Sequence, residues 1–366
     1  MRAAVVGGGL GGVAAAVALR RIGWDVVVLE RAAEFGEVGA GIGVMPNALR
    51  ALDLLDLSSE VRSVGTPRVA GAVLDPRGRR LTHVDAVHQD QVVAVHRADL
   101  HRVLRSALPA ECLVTSTEVT STADLDADLV VAADGIHSRI RAELFPTFPR
   151  PVYSGATAWR SVTSAVFPAD LMISQTLGSG TEFGVLPLGD GRVCWYAATV
   201  AAAGHAVEDD LAEVKRLVGA WHDPIPAVLD ATPPGTILRH DVHELKAELP
   251  TFVRGNVALL GDAAHAMTPF LGQGACMAIE DAVVLAASLR EHDLPTGLAA
   301  YDKARRTRTR RIANASRAAG RFGMFVRTPI ATTIRDTVMR AIPSRLAIRG
   351  MTRFTSWNPP VDSLDR

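Results

Sequence analysis

Ala3-Ala4-Val5-Val6-Gly7-Gly8-Gly9-Leu10-Gly11-Gly12, running into Val13–Arg21, decides how this chain is read. The first four residues are short, apolar and partly β-branched, as a strand buried in a parallel sheet should be. The next six satisfy G-x-G-x-x-G, and an alanine-rich helical pattern follows. Gly7 permits the tight turn, Gly9 lets the backbone approach a pyrophosphate, and Gly12 lets helix and strand pack closely. The helix start then offers free N–H groups and a positive dipole end to phosphates. Alone, the glycine pattern is weak, and a βαβ unit without a ligand is the plain alternative. Its context strengthens it. Asp25-Val26-Val27-Val28-Leu29 is a second buried strand ending in Glu30, close to the ~20-residue offset of a ribose-binding acid. A carboxylate there accepts ribose hydroxyls and repels a 2′-phosphate, so the site suits FAD or NAD rather than NADP.

Working outward, 366 residues suit two intimately packed domains. A signal-peptide reading of Arg2 followed by Ala3–Leu19 fails to account for five glycines between Gly7 and Gly12, whereas strand–turn–helix accounts for every residue. No apolar run approaches the ~20 residues of a membrane span. Lys+Arg and Asp+Glu balance at 39 each, so no overall field recruits nucleic acid. Aromatics at 5% argue against a base-stacking platform. Cys112, Cys194 and Cys276 are far apart without C-x-x-C spacing, which predicts neither disulfides nor zinc and fits a reducing cytoplasm.

Two later strands end in the same style. Leu129–Ala133 leads to Asp134-Gly135, with Ser138 and Arg139 beyond. Val257–Leu260 leads to Gly261-Asp262, then Pro269, Gly272-Gln273-Gly274 and a helical pattern over Ala275–Leu289. A strand ending in Gly-Asp aims a carboxylate past the sheet's C-terminal edge, where ligands bind in open α/β sheets. The glycine-flanked helix start supplies donors that can stabilise negative charge on a reduced flavin.

With GGGLGG, GAGIGVMPNALRAL (Gly39–Leu52), VVAADGIHSRIR (Val130–Arg141) and LLGDAAHAMTPFLGQGACMAIEDA (Leu260–Ala282), the chain resembles the FAD-dependent aromatic hydroxylases from residue 1 to about 320. These are single-component flavoprotein monooxygenases whose members hydroxylate para-hydroxybenzoate, salicylate or urate. The resemblance implies an enzyme carrying FAD, with NADH or NADPH as transient co-substrate and O2 as oxidant. Reduced flavin would form a hydroperoxide that delivers OH to an electron-rich ring, with no catalytic triad. It implies cofactor contacts from Gly7, Gly9, Leu10, Gly12, Gly43 and Gln273. Glu30 and Arg31 would contact the adenosine ribose, and Arg97 the pyrophosphate or ribityl chain. Asp134 would serve both FAD and NAD(P)H, and Asp262 the ribityl hydroxyls. Gly272, Gly274, Ala275 and Cys276 would line the isoalloxazine. The absence of a second strand–GxGxxG–helix unit agrees with this family and not with disulfide-reductase-like flavoenzymes. Epoxidation, oxidative decarboxylation or halogenation on the same scaffold, and a non-catalytic redox sensor, stay open as alternatives; the halogenase tryptophan motif is absent.

The expected architecture is α/β: a discontinuous Rossmann-like FAD-binding domain over 1–70, 92–150 and 252–320, with an inserted antiparallel substrate sheet over 71–91 and 151–251. Leu188–Arg192 reads as its hairpin turn. A C-terminal helical segment covers 321–366. It could graze a membrane, but a helix packed across both domains is the simpler reading. Arg305, Arg306, Arg308, Arg310 and Arg311 read as a solvated, internally paired helix face, and His265 as loop packing. Candidate pocket residues are Arg160, Glu182, Phe183, Trp195, Pro269 and Phe270. The urate-hydroxylating members carry an acid where this chain has Phe270, which argues for a more hydrophobic aromatic substrate. The family's additional β-hairpin is shortened here to Val114–Asp128. A monomer or homodimer is expected.

Overall fold

The computed structural model describes residues 1–36, 40–68, 71–82 and 92–365. Gly39 and residues 83–91, which enter the expectations above, lie outside the described residues. Strand Arg2–Val6 pairs in parallel with Asp25–Leu29 on one side and Leu129–Ala132 on the other, and Val257–Leu259 adds in parallel beyond. The six-stranded sheet is closed by Leu113–Val114 at one edge and Val253–Arg254 at the other. The C-terminal ends of the three strands that precede Gly7, Ala133 and Leu260 therefore lie side by side. Helices Leu10–Arg21 and Gly274–Glu291 are buried over nearly their whole length and pack against each other on this sheet. Apolar side chains all round such helices mark them as interior elements.

The second sheet has seven strands, in the order Leu238–Glu244, Val152–Val162, Val193–Val200, Thr181–Pro187, Ser174–Leu177, Val73–Leu74 and Arg80–Thr82. It is antiparallel except where Ser174–Leu177 meets Val73–Leu74 in parallel. The turn at Leu188–Arg192 forms as its sequence dictates: Leu188 N–H donates to Arg192 O at 2.8 Å, and Gly191 takes a positive φ. A small sheet of Gly41–Val44, Val92–His96 and Thr66–Arg68 completes the frame. Between Val114 and Leu129 the chain forms only a short 3-10 turn, Thr122–Asp124.

The C-terminal segment is two helices rather than one, Pro329–Ala341 and Ser344–Thr355, because Pro343 denies a backbone donor to a continuous helix. It does span both sheets. Arg335 donates to the carbonyls of Leu177, Gly178 and Gly323 at the second sheet. The tail returns to the first: Leu364 is fully buried in its core, Arg50 holds the carbonyls of Thr355 and Trp357, and Arg290 that of Ser363.

Candidate active site

The glycine turn is held shut from every side. Gly7 has φ near +107°, and a Cβ there would strike the Ala133 carbonyl; a Cβ on Gly12 would strike Gly7 O. No larger residue fits either position without moving backbone. The helix that follows has Gly9 as its cap, with no side-chain cap and no acid in its first turn, so none of its own side chains offsets its positive end. Glu30 closes the turn from the neighbouring strand, accepting from Gly8 N–H at 2.7 Å and Ala32 N–H at 2.9 Å. His101 Nε2 lies 2.7 Å from Gly8 O. Leu10 is buried and offers only backbone, whereas Arg31 is exposed.

The other two strand ends sit beside this turn. Asp134 Oδ2 accepts from Arg139 and Ile140 N–H, while its Oδ1 is buried with no partner among the described residues. Asp262 is exposed after Gly261 (φ +61°). Arg141, which the sequence reading passed over, donates to Ala263 O at 2.9 Å and Ile136 O at 2.7 Å and so ties the two loops together. Burial lowers its pKa, while Asp134 and Asp262 raise it. Helix Gly274–Glu291 starts at Gln273 with no side-chain cap and no acid in its first turn. Two uncapped helix starts, an exposed aspartate and an orphaned carboxylate oxygen along one sheet edge fit an anionic dinucleotide rich in hydroxyls. Cys276, 3.9 Å from the carbonyls of Gly43 and Gly272, has its thiol pushed up to about 12 by burial and is inert.

Behind the loop lies a buried polar network. Asn47 Nδ2 donates to Gln273 Oε1 at 3.0 Å and to Glu280 Oε1 at 2.7 Å. Glu280 also takes Arg305 and Arg308; Asp281 takes Arg305 Nε, Gly261 N–H and His265 Nε2. Although burial opposes it, these partners, His265 foremost, hold the Asp281 carboxyl down at about 2. The network fixes the first residue before the Gly274 helix and the turn before Asp262 at once. This corrects the reading of the arginine run at one position: Arg306, Arg310 and Arg311 are exposed as expected, but Arg305 is 1% exposed and bridges two buried acids. His265 packs the loop.

Strand alternation sorts the second sheet's candidates into two faces. Trp159, Phe183 and Trp195 share one face, fully buried against helices Asp210–Val218 and Ile225–Asp230; the Phe183 and Trp195 rings stack at 5.5 Å, and Trp195 donates to Thr232. The expectation that Phe183 and Trp195 line the pocket is thus corrected: both are core. The opposite face carries Arg160, Tyr196 and Gly184 in register, with Ala158, Ala198 and Glu182 in the next row. This face meets the flavin-side loops. Gly41 N–H donates to Cys194 Sγ at 2.8 Å, and Phe270, with Phe325 and Met324, packs on Ala156, Ala158 and Ala198. Pro269 is exposed beside Phe270. Arg160 Nε is buried with no partner among the described residues; burial, then nearby Arg97, lowers its pKa. Glu182 is buried and, among the described residues, its carboxyl is bonded only to Gln175, at 2.9 Å; burial raises its pKa to about 7. Tyr196, whose pKa burial raises strongly, and His240, lowered by burial and Arg160, were missed although they follow from the same parity as Arg160.

A family described as FAD binding domain matches residues 1–316. The aurachin C monooxygenase/isomerase of Stigmatella aurantiaca is 35% identical over 363 residues, covering 93% of this chain and 94% of its own. The chain belongs to the FAD-dependent hydroxylase family. It is an FAD-dependent monooxygenase. The FAD-dependent urate hydroxylase of Klebsiella pneumoniae is 32% identical over 336 residues, 85% of this hydroxylase and 87% of its relative. The solved structure of Klebsiella pneumoniae HpxO complexed with FAD and uric acid matches with a TM-score of 0.87 at 28% identity, covering 98% of this hydroxylase and 97% of that chain. The fold, the FAD and the enzyme class that the resemblance implied are therefore those of the protein.

Proposed function

We propose that this hydroxylase uses NADH or NADPH and O2 to hydroxylate an apolar aromatic or other electron-rich small molecule seated between the inner face of the second sheet and the loop Pro269–Cys276. Bound FAD supplies the hydride acceptance and oxygen activation; the protein binds, orients and excludes water. The pyrophosphate is cradled by Gly7, Gly9 and the first turn from Leu10 to Gly12. Glu30 and Arg31 serve the adenosine ribose, Arg97 the pyrophosphate or ribityl chain, Asp134 both FAD and NAD(P)H, and Asp262 the ribityl hydroxyls. Gly43, Gly272, Gln273, Gly274, Ala275 and Cys276 line the ring. Cytoplasmic placement is supported by three free, buried thiols.

The observation that carries the substrate reading is the make-up of the inner face. Phe270, Phe325 and Met324 pack on Ala156, Ala158 and Ala198 as an apolar wall, the Tyr196 ring lies over Gly184, and among the described residues Arg160 Nε is buried without a partner while the Glu182 carboxyl takes only Gln175. A pocket that is mostly apolar with few placed polar groups selects a small, flat molecule and fixes its orientation. Glu182, protonated for much of the neutral range, can donate to a substrate oxygen or accept its proton.

The test is aerobic NADH and NADPH oxidation by the purified yellow protein against phenols, benzoates and nitrogen heteroaromatics. Oxidation stimulated by one class, with labelled oxygen from O2 in its product, is the expected result. A flavin-loaded protein that every class and both nicotinamides leave unreacted would overturn the proposal.

A further inference from the structure

Helix Pro329–Ala341 turns one face to the protein and leaves the other open. Inward, Arg335 and its neighbour Asp336 are buried and paired. Outward, Ile330, Ile334 and Val338 recur every fourth residue, which places them on one side of the helix; they are 76%, 59% and 44% exposed. Exposed apolar side chains continue at the same interval with Ile342 and Leu346. The following helix, Ser344–Thr355, presents Arg345, Arg349 and Arg353 at four-residue spacing, all exposed.

The charge here is one-sided. Residues 321–361 contain seven arginines (321, 327, 335, 340, 345, 349 and 353) and a single acid, Asp336, in a chain whose formal net charge is zero. Arg335 takes Asp336, and Arg340 pairs with Asp75. Arg321, Arg327, Arg345, Arg349 and Arg353 make no ion pair among the described residues. A run of large exposed apolar side chains beside uncompensated cations marks a contact surface.

We propose that this face docks the enzyme on an anionic lipid bilayer surface, the apolar stripe entering the headgroup–acyl boundary and the arginines meeting the lipid phosphates. An amphipathic helix rich in basic residues binds membranes in this way. A second copy fits less well. A two-fold contact pairs a patch with itself, which sets this arginine cluster against its own image. The stripe begins just after Met324 and Phe325, which pack on Ala156, Ala158 and Ala198. Docking therefore brings that side of the second sheet to the bilayer, where molecules that partition into lipid are concentrated.

The FAD-loaded full chain is sedimented with vesicles of mixed phosphatidylglycerol and phosphatidylcholine, and with phosphatidylcholine alone. The expected result is an apparent partition at least about tenfold higher on the anionic vesicles, falling as salt is raised. The double variant Ile334→Asp/Val338→Asp should abolish it, and Arg345→Glu/Arg349→Glu should reduce it about tenfold. Both should keep full flavin absorbance and basal nicotinamide oxidation, since neither change reaches the core. Equal, weak sedimentation with both vesicle types overturns the proposal, as does binding that survives both variants. A wild-type dimer in light scattering that Ile334→Asp/Val338→Asp converts to monomer assigns the face to a second copy and overturns it too.

Discussion

Replacing Glu182 by Gln keeps the side chain's shape and its contact with Gln175 but removes the ionisable group. The folded protein holds this buried carboxyl protonated up to about pH 7, against an ordinary value of 4.5. The folded state therefore binds a proton more tightly than the unfolded chain, and stability falls as pH rises between those two values. Once both states are ionised, above about pH 7, wild type carries a penalty of about 3 kcal/mol relative to a group that titrates alike in both states. The figure is an upper bound, because water reaching the inner face relieves part of it. For a chain of this length it corresponds to about 4 °C in melting temperature. Glu182→Gln should match wild type at pH 4.5, where both carry a neutral group, and melt higher by up to that amount at pH 8.5. Differential scanning fluorimetry on FAD-loaded protein, without substrate, reads the difference directly. A gap that is the same at both pH values would refute the reasoning, since a pure packing change is blind to protons. A wild type that gains stability with pH where the variant does not would show the group ionised and paired in the folded state.

Gly12→Ala should give colourless protein, because a Cβ there meets the Gly7 carbonyl; absorbance near the flavin bands measures it. Arg305→Ala should destabilise by about 3–5 kcal/mol, since it leaves Glu280 and Asp281 buried beside each other, and flavin should dissociate faster on dilution. Trp195→Phe should lower the melting temperature through loss of the Thr232 hydrogen bond while leaving KM for the substrate unchanged. Arg160→Met should leave FAD content intact; for a substrate that engages the guanidinium, KM should rise by the equivalent of about 1.5–3 kcal/mol.

The flavin half of this protein is legible in the sequence because each requirement there is local. A turn that must lack Cβ atoms, a strand that must be apolar and an acid one strand away all fall within a short window, and three such windows recur in order. The polar network is not legible. Asn47, Gln273 and Glu280 meet across 226 and 233 positions, and nothing in an arginine-rich helical run says that Arg305 turns inward while Arg306 faces solvent. The second sheet was half legible. Its strands and its hairpin turn follow from pattern, but both of its faces carry aromatic residues. Which one is covered by helices depends on where residues 210–230 pack. Phe183 and Trp195 were expected in the pocket together with Arg160, whereas strand parity with Arg160 favours Tyr196 instead.

The three glycine-bearing turns along the first sheet's edge come from positions near 7, 134 and 261, yet lie on adjacent parallel strands. The strand that is made first sits near the middle of that sheet and has to wait for one made more than a hundred residues later, and then for another beyond the whole second sheet. Long-range parallel pairing of this kind is slow to assemble. A nascent or truncated chain ending before Leu260 therefore has no complete cradle, however well its first turn is formed. Yellow colour in this protein is a readout of finished assembly, and flavin uptake followed in time would clock the last step of its folding.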